Sequence, residues 1–182
     1  MKHWTDALAK FTPCEDALKW LRTQPNAKAA WRDCKRGDWM LWLLGRLDKS
    51  KPWSEERKPL VRIAVACAEE AAQYCTEEML LAAIWCLDAT RRWCDGEAEQ
   101  DEVDAADAAA YAATATSYAS YAASAAAYAA SDADAAAYAA SYAASYAYAA
   151  SDAYADRAQS LASSADIVRE FHPKAPRLGE TK

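Results

Sequence analysis

The sequence has few of the residues with which enzymes usually build active sites. Histidine occurs only twice, as His3 and His172. The four glycines form no phosphate-binding loop, and neither an HExxH nor a GxSxG motif is present. We therefore expect a protein that is not an enzyme and that has no cofactor, no metal site and no catalytic residues.

Close cysteine pairs are also missing. The six cysteines include no CxxC pair and fall within helical patterns, so we expect free, buried thiols rather than disulfides. Cys67 and Cys75 are eight residues apart, as are Cys86 and Cys94. Four such thiolates could meet at one metal ion, but structural zinc usually takes closer ligand pairs, and we favour free thiols.

Long apolar runs and an excess of positive charge are absent as well. No window approaches the roughly 18 strongly apolar residues that span a bilayer, and residues 1–6 lack the apolar region of a secretory signal. The chain carries 27 acidic and 21 basic residues, with a pI near 5.0. We expect a cytoplasmic protein that contacts neither a membrane nor, directly, a nucleic acid.

The most distinctive stretch that is present runs from Val103 to Asp166. Its 64 residues include 32 Ala, 9 Tyr, 7 Asp and one Arg, and neither Gly nor Pro occurs between Gly96 and Pro173. Alanine has the highest helix propensity, so the stretch predicts helix. Polar residues at 131–134 and 151–152 mark the expected turns, with Ser131 as a helix cap, and predict two or three helices. One continuous rod is the alternative.

Spaced tyrosines and aspartates make this stretch the candidate partner-binding surface. The rings recur at intervals of seven and of four, which places them on one helix face at a time. They either fill the gaps between alanine helices or form a recognition surface, since Tyr is enriched at interfaces; both can hold for different rings. The candidate residues are Tyr118, Tyr121, Tyr128, Asp132, Asp134, Tyr138, Tyr142, Tyr146 and Asp152.

The first half of the chain is rich in tryptophan. A first helix is expected from about Pro13 to Thr23. Gly37 is expected to end a short helix, and Asp38 to cap the next one or to pair as a buried carboxylate with Arg32 or Arg36.

The fold class predicted by these patterns is all-α, a multi-helix bundle or short solenoid with long Ala/Tyr-rich C-terminal helices. Trp39, Trp42 and Trp93 are expected in its core. Two antiparallel helices are expected at 60–75 and 77–94, and a last apolar turn at 167–171. Residues 1–98 form a Trp-rich region, 99–171 an acidic Ala/Tyr-rich region packed on it, and 172–182 a disordered tail.

Two motifs resemble a known family. They are Trp31-x-x-Cys34-x-Arg36-Gly37-Asp38-Trp39-x-Leu41-Trp42-Leu43 and the helix that ends Arg92-Trp93-x-x-Gly96. Together with the Ala-rich tail, they are similar to immunity proteins of bacterial polymorphic-toxin systems, which are also widespread in phages. The resemblance implies a protein that binds and neutralises another protein.

Three functions follow from these observations. The first is an immunity-type inhibitor that neutralises a toxin or nuclease through an acidic, Tyr-rich helical surface. The second is a phage-encoded factor that binds a host or anti-phage defence protein. The third is a self-assembling structural protein, in which the tyrosine stripe joins copies into a homo-oligomer.

Overall fold

The computed structural model describes residues 3–70, 77–112, 118–151 and 154–178. In these ranges α-helices and short 3-10 turns are the only regular elements, which confirms the all-α prediction. No helix within them is long and apolar enough to cross a membrane. The α-helices are α1 (Glu15–Arg22), α2 (Ala27–Asp33), α3 (Gly37–Leu47), α4 (Lys58–Glu69), α5 (Glu77–Asp95), α6 (Gln100–Ala112), α7 (Tyr118–Tyr128), α8 (Ala136–Ser151) and α9 (Tyr154–Phe171).

Two rows of helices pack against each other. Helices α6 to α9 lie side by side in chain order, and α5, α4 and α3 form the second row. Helix α7 packs against α5 and α4, and helix α8 packs against α4 and α3. One continuous cluster of buried side chains joins both rows. The Trp-rich and Ala-rich regions therefore share a single core.

Alanine makes the close packing at the centre possible. The inward faces of α7 and α8 are built of fully buried alanines, among them Ala122, Ala126, Ala139 and Ala143. Because the distance between packed helices depends on the side chains at the contact, a face made of methyl groups lets the two backbones approach closely. The Ala-rich stretch is divided among four helices, α6 to α9, so the continuous rod is wrong and the expected two or three helices were too few.

The predicted turn at 131–134 is confirmed, but a different residue caps it. The carboxylate of Asp132, not the hydroxyl of Ser131, accepts the amide of Asp134 (3.0 Å). Ser131 donates its hydroxyl to the carbonyl of Tyr128 instead (3.0 Å). Of the second expected turn, Asp152 lies outside the described residues, and α8 ends at Ser151.

The segment between α3 and α4 covers the C-terminal end of α7. The backbone amide of Trp53 donates to the carbonyl of Ala130 (2.9 Å), and the buried guanidinium of Arg57 donates to that of Ala129 (3.3 Å). Arg57 also pairs with Asp48 (3.4 Å). These donors satisfy carbonyls that a helix end leaves without partners, and the positive charge suits the negative end of the helix dipole.

The N-terminal helices differ from the prediction in their boundaries. A 3-10 segment, Trp4–Phe11, precedes α1, and α1 begins at Glu15 rather than Pro13. Helix α2 ends at Asp33, so Gly37 begins α3 instead of ending a helix, and Asp38 lies inside the first turn of α3 rather than capping it.

Gly37 is needed for a close contact between helices. A Cβ atom placed on it would lie 2.4 Å from the Cβ of Ser164 on α9. The missing side chain therefore allows α3 to touch α9. Helix α9 itself continues to Phe171, so residues 167–171 are its last turns and not a separate element. Near this end, Arg169 donates to the carbonyl of Cys34 (2.8 Å), beyond the end of α2.

The described cysteines are free, as predicted, and four of the five are buried. Burial raises the pKa of Cys67 and of Cys86 to about 12, and that of Cys94 to about 11. Such thiols stay protonated at neutral pH and are poor nucleophiles. Cys14, just before α1, is exposed, while Cys75 lies outside the described residues.

Candidate functional site

Tyrosine and serine occupy the outward face of α7 and α8, opposite the buried alanines. We call this surface the Tyr/Ser face. A helix places residues three, four and seven apart on one side, and these side chains follow that spacing. None of them is fully buried. The residues are Tyr121, Ser124 and Tyr128 on α7 and Tyr138, Ser141, Tyr142 and Ser145 on α8.

The tyrosines of this face differ in exposure. Tyr128 and Tyr138 are 56% and 57% exposed, which is unusual for such large rings. Tyr142 is half-buried because it packs between two other rings, with its centroid 5.3 Å from Tyr121 and 6.0 Å from Tyr138. Stacking at these distances holds the rings in place. Tyr121 and Tyr142 therefore pack against each other between α7 and α8, as one interpretation expected, and the recognition role of the exposed rings stays a prediction.

The hydroxyls of the serines are tied to the scaffold. Ser124 donates to the carboxylate of Asp107 on α6 (2.5 Å), and Ser145 donates to the carbonyl of Ser141 (2.9 Å). Asp107 is half-buried, and its burial, together with the nearby charge of Asp104, raises the pKa of its carboxyl group; the bond from Ser124 opposes this rise.

We predicted that the tyrosines and the acidic residues share one surface, but no acidic residue is among those described for the Tyr/Ser face. Asp132 is exposed, but the carboxylate of Asp134 pairs with Arg46 of α3 (2.8 Å). A group of four exposed carboxylates lies instead at and before the start of α6, which packs on α7 beside the Tyr/Ser face. They are Glu97, Glu99, Asp101 and Asp104.

A groove of about 280 Å³ adjoins the Tyr138 end of this face. Tyr138 lines it together with four residues of the sequence motif, Arg36, Asp38, Trp39 and Trp42. Trp39 and Trp42 are half-buried, and placing them wholly in the core was wrong. Helix α3 packs one side against α8 and α9, and the indoles of Trp39 and Trp42 lie at the edge of that contact.

An arginine organises the motif side of the groove. Arg36 pairs with Asp38 (2.6 Å), as one of the two alternatives predicted, and its guanidinium lies 4.3 Å from the centre of the Trp39 ring. The bond to Asp38 raises the pKa of Arg36. The contact on the indole and the ion pair fix the guanidinium in place. Arg32, the other candidate partner of Asp38, pairs with Asp33.

Several predicted residues stand apart from this groove. Trp93 is buried in the core, against Trp53 (5.2 Å between ring centres). The backbones of Tyr118 and Tyr146 lie in α7 and α8, but their side chains are outside the described part of the chain, as is all of Asp152. Among the residues that the structure describes, no cluster of three or more His, Cys, Asp or Glu side chains could hold a metal ion.

One exposed apolar patch was missed by sequence reasoning. Leu81, Ile84 and Trp85 are 73%, 50% and 45% exposed on the outer side of α5. The sequence could have predicted this patch, because α5 also carries apolar residues such as Cys86 and Leu87 on its buried side. A helix that is apolar on both sides has more hydrophobic surface than one core contact needs.

No known protein family, curated protein or solved structure matches the chain. Functional inference therefore depends on the chemistry of the Tyr/Ser face and its groove.

Proposed function

We propose that this protein is an interaction module that binds and neutralises another protein through the Tyr/Ser face and the adjoining groove, as an immunity protein does. The observation that carries the proposal is the exposure of Tyr128 and Tyr138 on a layer of buried alanine. Tyrosine offers a large contact area with only two rotatable bonds to immobilise, and serine supplies adaptable hydrogen bonds. Antibody binding loops are enriched in the same pair of residue types.

The geometry favours a rigid surface over one that folds on binding. Tyr142 is stacked between Tyr121 and Tyr138, and Arg36 is fixed over Trp39. Groups that are already ordered lose less entropy when a partner binds. The groove beside Tyr138 offers a pocket in which a partner side chain could be desolvated, as binding hot spots require.

The charges favour a basic partner. The exposed carboxylates on and before α6 and Asp132 flank the rings, whereas Arg36 and Arg46 are both paired with aspartates. The negative electrostatic potential of these carboxylates accelerates association with a basic cleft, including the nucleic-acid-binding cleft of a nuclease. Affinity is expected to fall as ionic strength rises from about 0.1 M to about 1 M, since the screening length shortens from about 10 Å to about 3 Å.

The test is photo-crosslinking from single positions of the full chain in producing cells. The photoreactive residue p-benzoylphenylalanine replaces Tyr138 in one variant, Tyr128 in a second and Phe171 in a control. Phe171 is a matched control because it is an aromatic residue with 50% exposure, on the end of α9.

We expect adducts with the same partner protein from positions 138 and 128 and none from position 171. Mass spectrometry of the adduct then distinguishes a toxin from a host or defence protein. An adduct between two copies of this chain would support the self-assembling alternative instead. Equal labelling from all three positions, or no adduct from either tyrosine position, would refute the proposal.

A further inference from the structure

A second groove lies among the N-terminal helices, and tryptophan lines it. Indoles from the 3-10 segment and from α1, α2 and α3 surround it. They are Trp4, Trp20, Trp31, Trp39 and Trp42. We call this the Trp groove. Its remaining lining is almost wholly apolar, including Leu8 and Met40.

Residues 172–178, the first part of the tail that we expected to be disordered over 172–182, lie across the Trp groove. The indole N–H of Trp31 donates to the carbonyl of His172 (2.9 Å), and Lys10 donates to that of Leu178 (3.3 Å). Ala175, Pro176 and Leu178 line the groove. Residues 179–182 lie outside the described part.

This segment has the chemistry of a peptide ligand. It reads Pro173-Lys174-Ala175-Pro176-Arg177-Leu178, with Pro at two positions three residues apart. Proline favours the extended polyproline II conformation, which offers no internal hydrogen bonds and loses little entropy on docking. Such segments bind grooves lined by aromatic rings. Pro173, Lys174 and Arg177 are exposed, while Ala175, Pro176 and Leu178 are half-buried against the groove.

The fit between segment and groove is incomplete. An apolar space of about 70 Å³ remains between them, and it is partly open to solvent. The small side chain of Ala175 is one of its walls. A larger apolar side chain at that position would have room to enter.

We propose that the Trp groove is a docking site for an extended, proline-containing peptide of the form Pro-x-x-Pro-x-Leu, and that residues 173–178 are an exchangeable ligand which occupies it in the free protein. A partner segment with an aliphatic residue at the position of Ala175 displaces the chain's own segment. The Trp groove shares Trp39 and Trp42 with the groove beside Tyr138. The inference rests on the docked segment 173–178 and does not depend on the function proposed for the Tyr/Ser face.

The experiment measures binding of a synthetic peptide to full-length chains. The probe is a fluorescein-labelled peptide of residues 171–178, read by fluorescence anisotropy. In one variant, Pro176→Asp and Leu178→Asp together remove the segment from the groove. The matched control carries two aspartates at exposed positions of the same segment, Lys174→Asp and Arg177→Asp.

We expect the peptide to bind the Pro176→Asp/Leu178→Asp chain at least about tenfold more tightly than the wild type or the control, because only that variant has an unoccupied groove. A peptide with Ala175→Leu is expected to bind about tenfold more tightly again, by filling the cavity. Equal affinity for all three chains, or no binding to the variant when it is folded by circular dichroism, would overturn the proposal.

A second measurement uses the wild-type chain and does not depend on the variant folding. A dye attached to the C-terminus reports release of the segment as a fall in anisotropy. Unlabelled Ala175→Leu peptide is added above the millimolar effective concentration of a tethered ligand. Exchange is supported if the Ala175→Leu peptide lowers the anisotropy and a control peptide with Pro176→Asp and Leu178→Asp does not. Constant anisotropy refutes it.

Discussion

The Trp-rich and Ala-rich regions of this protein bury their surface by opposite means. Helices α3 to α5 fill space with large side chains such as Leu41 and Trp93. Two cations, Arg57 just before α4 and Lys58 at its start, are also buried there. Helices α7 and α8 fill it with methyl groups and close backbones. A large side chain gains stability from its own area, whereas a packed alanine gains it from the proximity that its small size permits. The two regions should therefore fail under opposite kinds of substitution.

The largest effect is expected from shortening a buried ring in the Trp-rich region. Trp93→Ala removes the edge-to-face contact with Trp53 and the contact with Lys58 (5.3 Å), and should lower the free energy of unfolding by about 3–5 kcal/mol. Trp85→Ala, a half-exposed ring on the same helix, is the control and should cost less than about 1 kcal/mol. Urea unfolding measures both. Similar losses would contradict the assignment of Trp93 to the core.

The next largest loss in the free energy of unfolding is expected when a buried alanine of the Ala-rich region is enlarged. Ala140 of α8 has no exposed surface, so Ala140→Leu forces the helices apart and should cost about 3 kcal/mol. The same change at Ala108, exposed on α6, should alter stability by no more than about 0.5 kcal/mol. If the Ala140 variant were as stable as the wild type, α8 would not be packed by backbone proximity.

A smaller loss is expected where the two regions meet. Gly37→Ala places a methyl group 2.4 Å from the Cβ of Ser164 and should cost about 1–2 kcal/mol in thermal or urea unfolding. Adding Ser164→Gly should not restore stability, because the carbonyl carbon of residue 164 also lies only 2.6 Å from the new methyl group. A stabilised variant would refute the close approach, since Ala otherwise improves on Gly in a helix by about 1 kcal/mol.

The smallest predicted effect depends on pH. The pKa of Asp107 is raised in the folded protein, so the native state binds a proton more tightly than the unfolded chain does. The associated stability is fully present below the unfolded pKa and is lost as pH rises through the folded pKa. Asp107→Asn should therefore stabilise the protein at neutral pH and lose this advantage in acid. Asp101→Asn, an exposed site on the same helix, is the control; an identical pH profile for both variants would contradict the prediction.

Much of the fold could be predicted from local chemistry. A long run of alanine without Gly or Pro can form little except helix, and the polar residues at 131–134 interrupt it where the structure turns. The start of the helix predicted at 77–94 was also recognisable, because Glu77 and Glu78 place negative charge in its first turn. In each case the interactions that decide the local structure are made between residues close together in the sequence.

The remaining features depend on contacts between distant parts of the chain. Gly37 is required by Ser164, which is more than half the chain away, and nothing in its own surroundings distinguishes that requirement from a helix end. Which of the candidate tyrosines are exposed was also out of reach, because their spacing fits a filling role and a surface role equally well. The packing of α7 on α4 and α5 and of α8 on α3 and α4 leaves Tyr128 and Tyr138 on the outside.

The alanine layer beneath the Tyr/Ser face has a consequence for how such a protein can diverge. Tyr128 and Tyr138 lie on the side of their helices away from the core, so replacing them leaves the packing below unchanged. Under the proposed function, substitutions that alter which protein is recognised need no compensating change in the interior. A lineage under pressure to follow a changing target could exchange these positions freely, while the alanines that keep the helices together stayed constant.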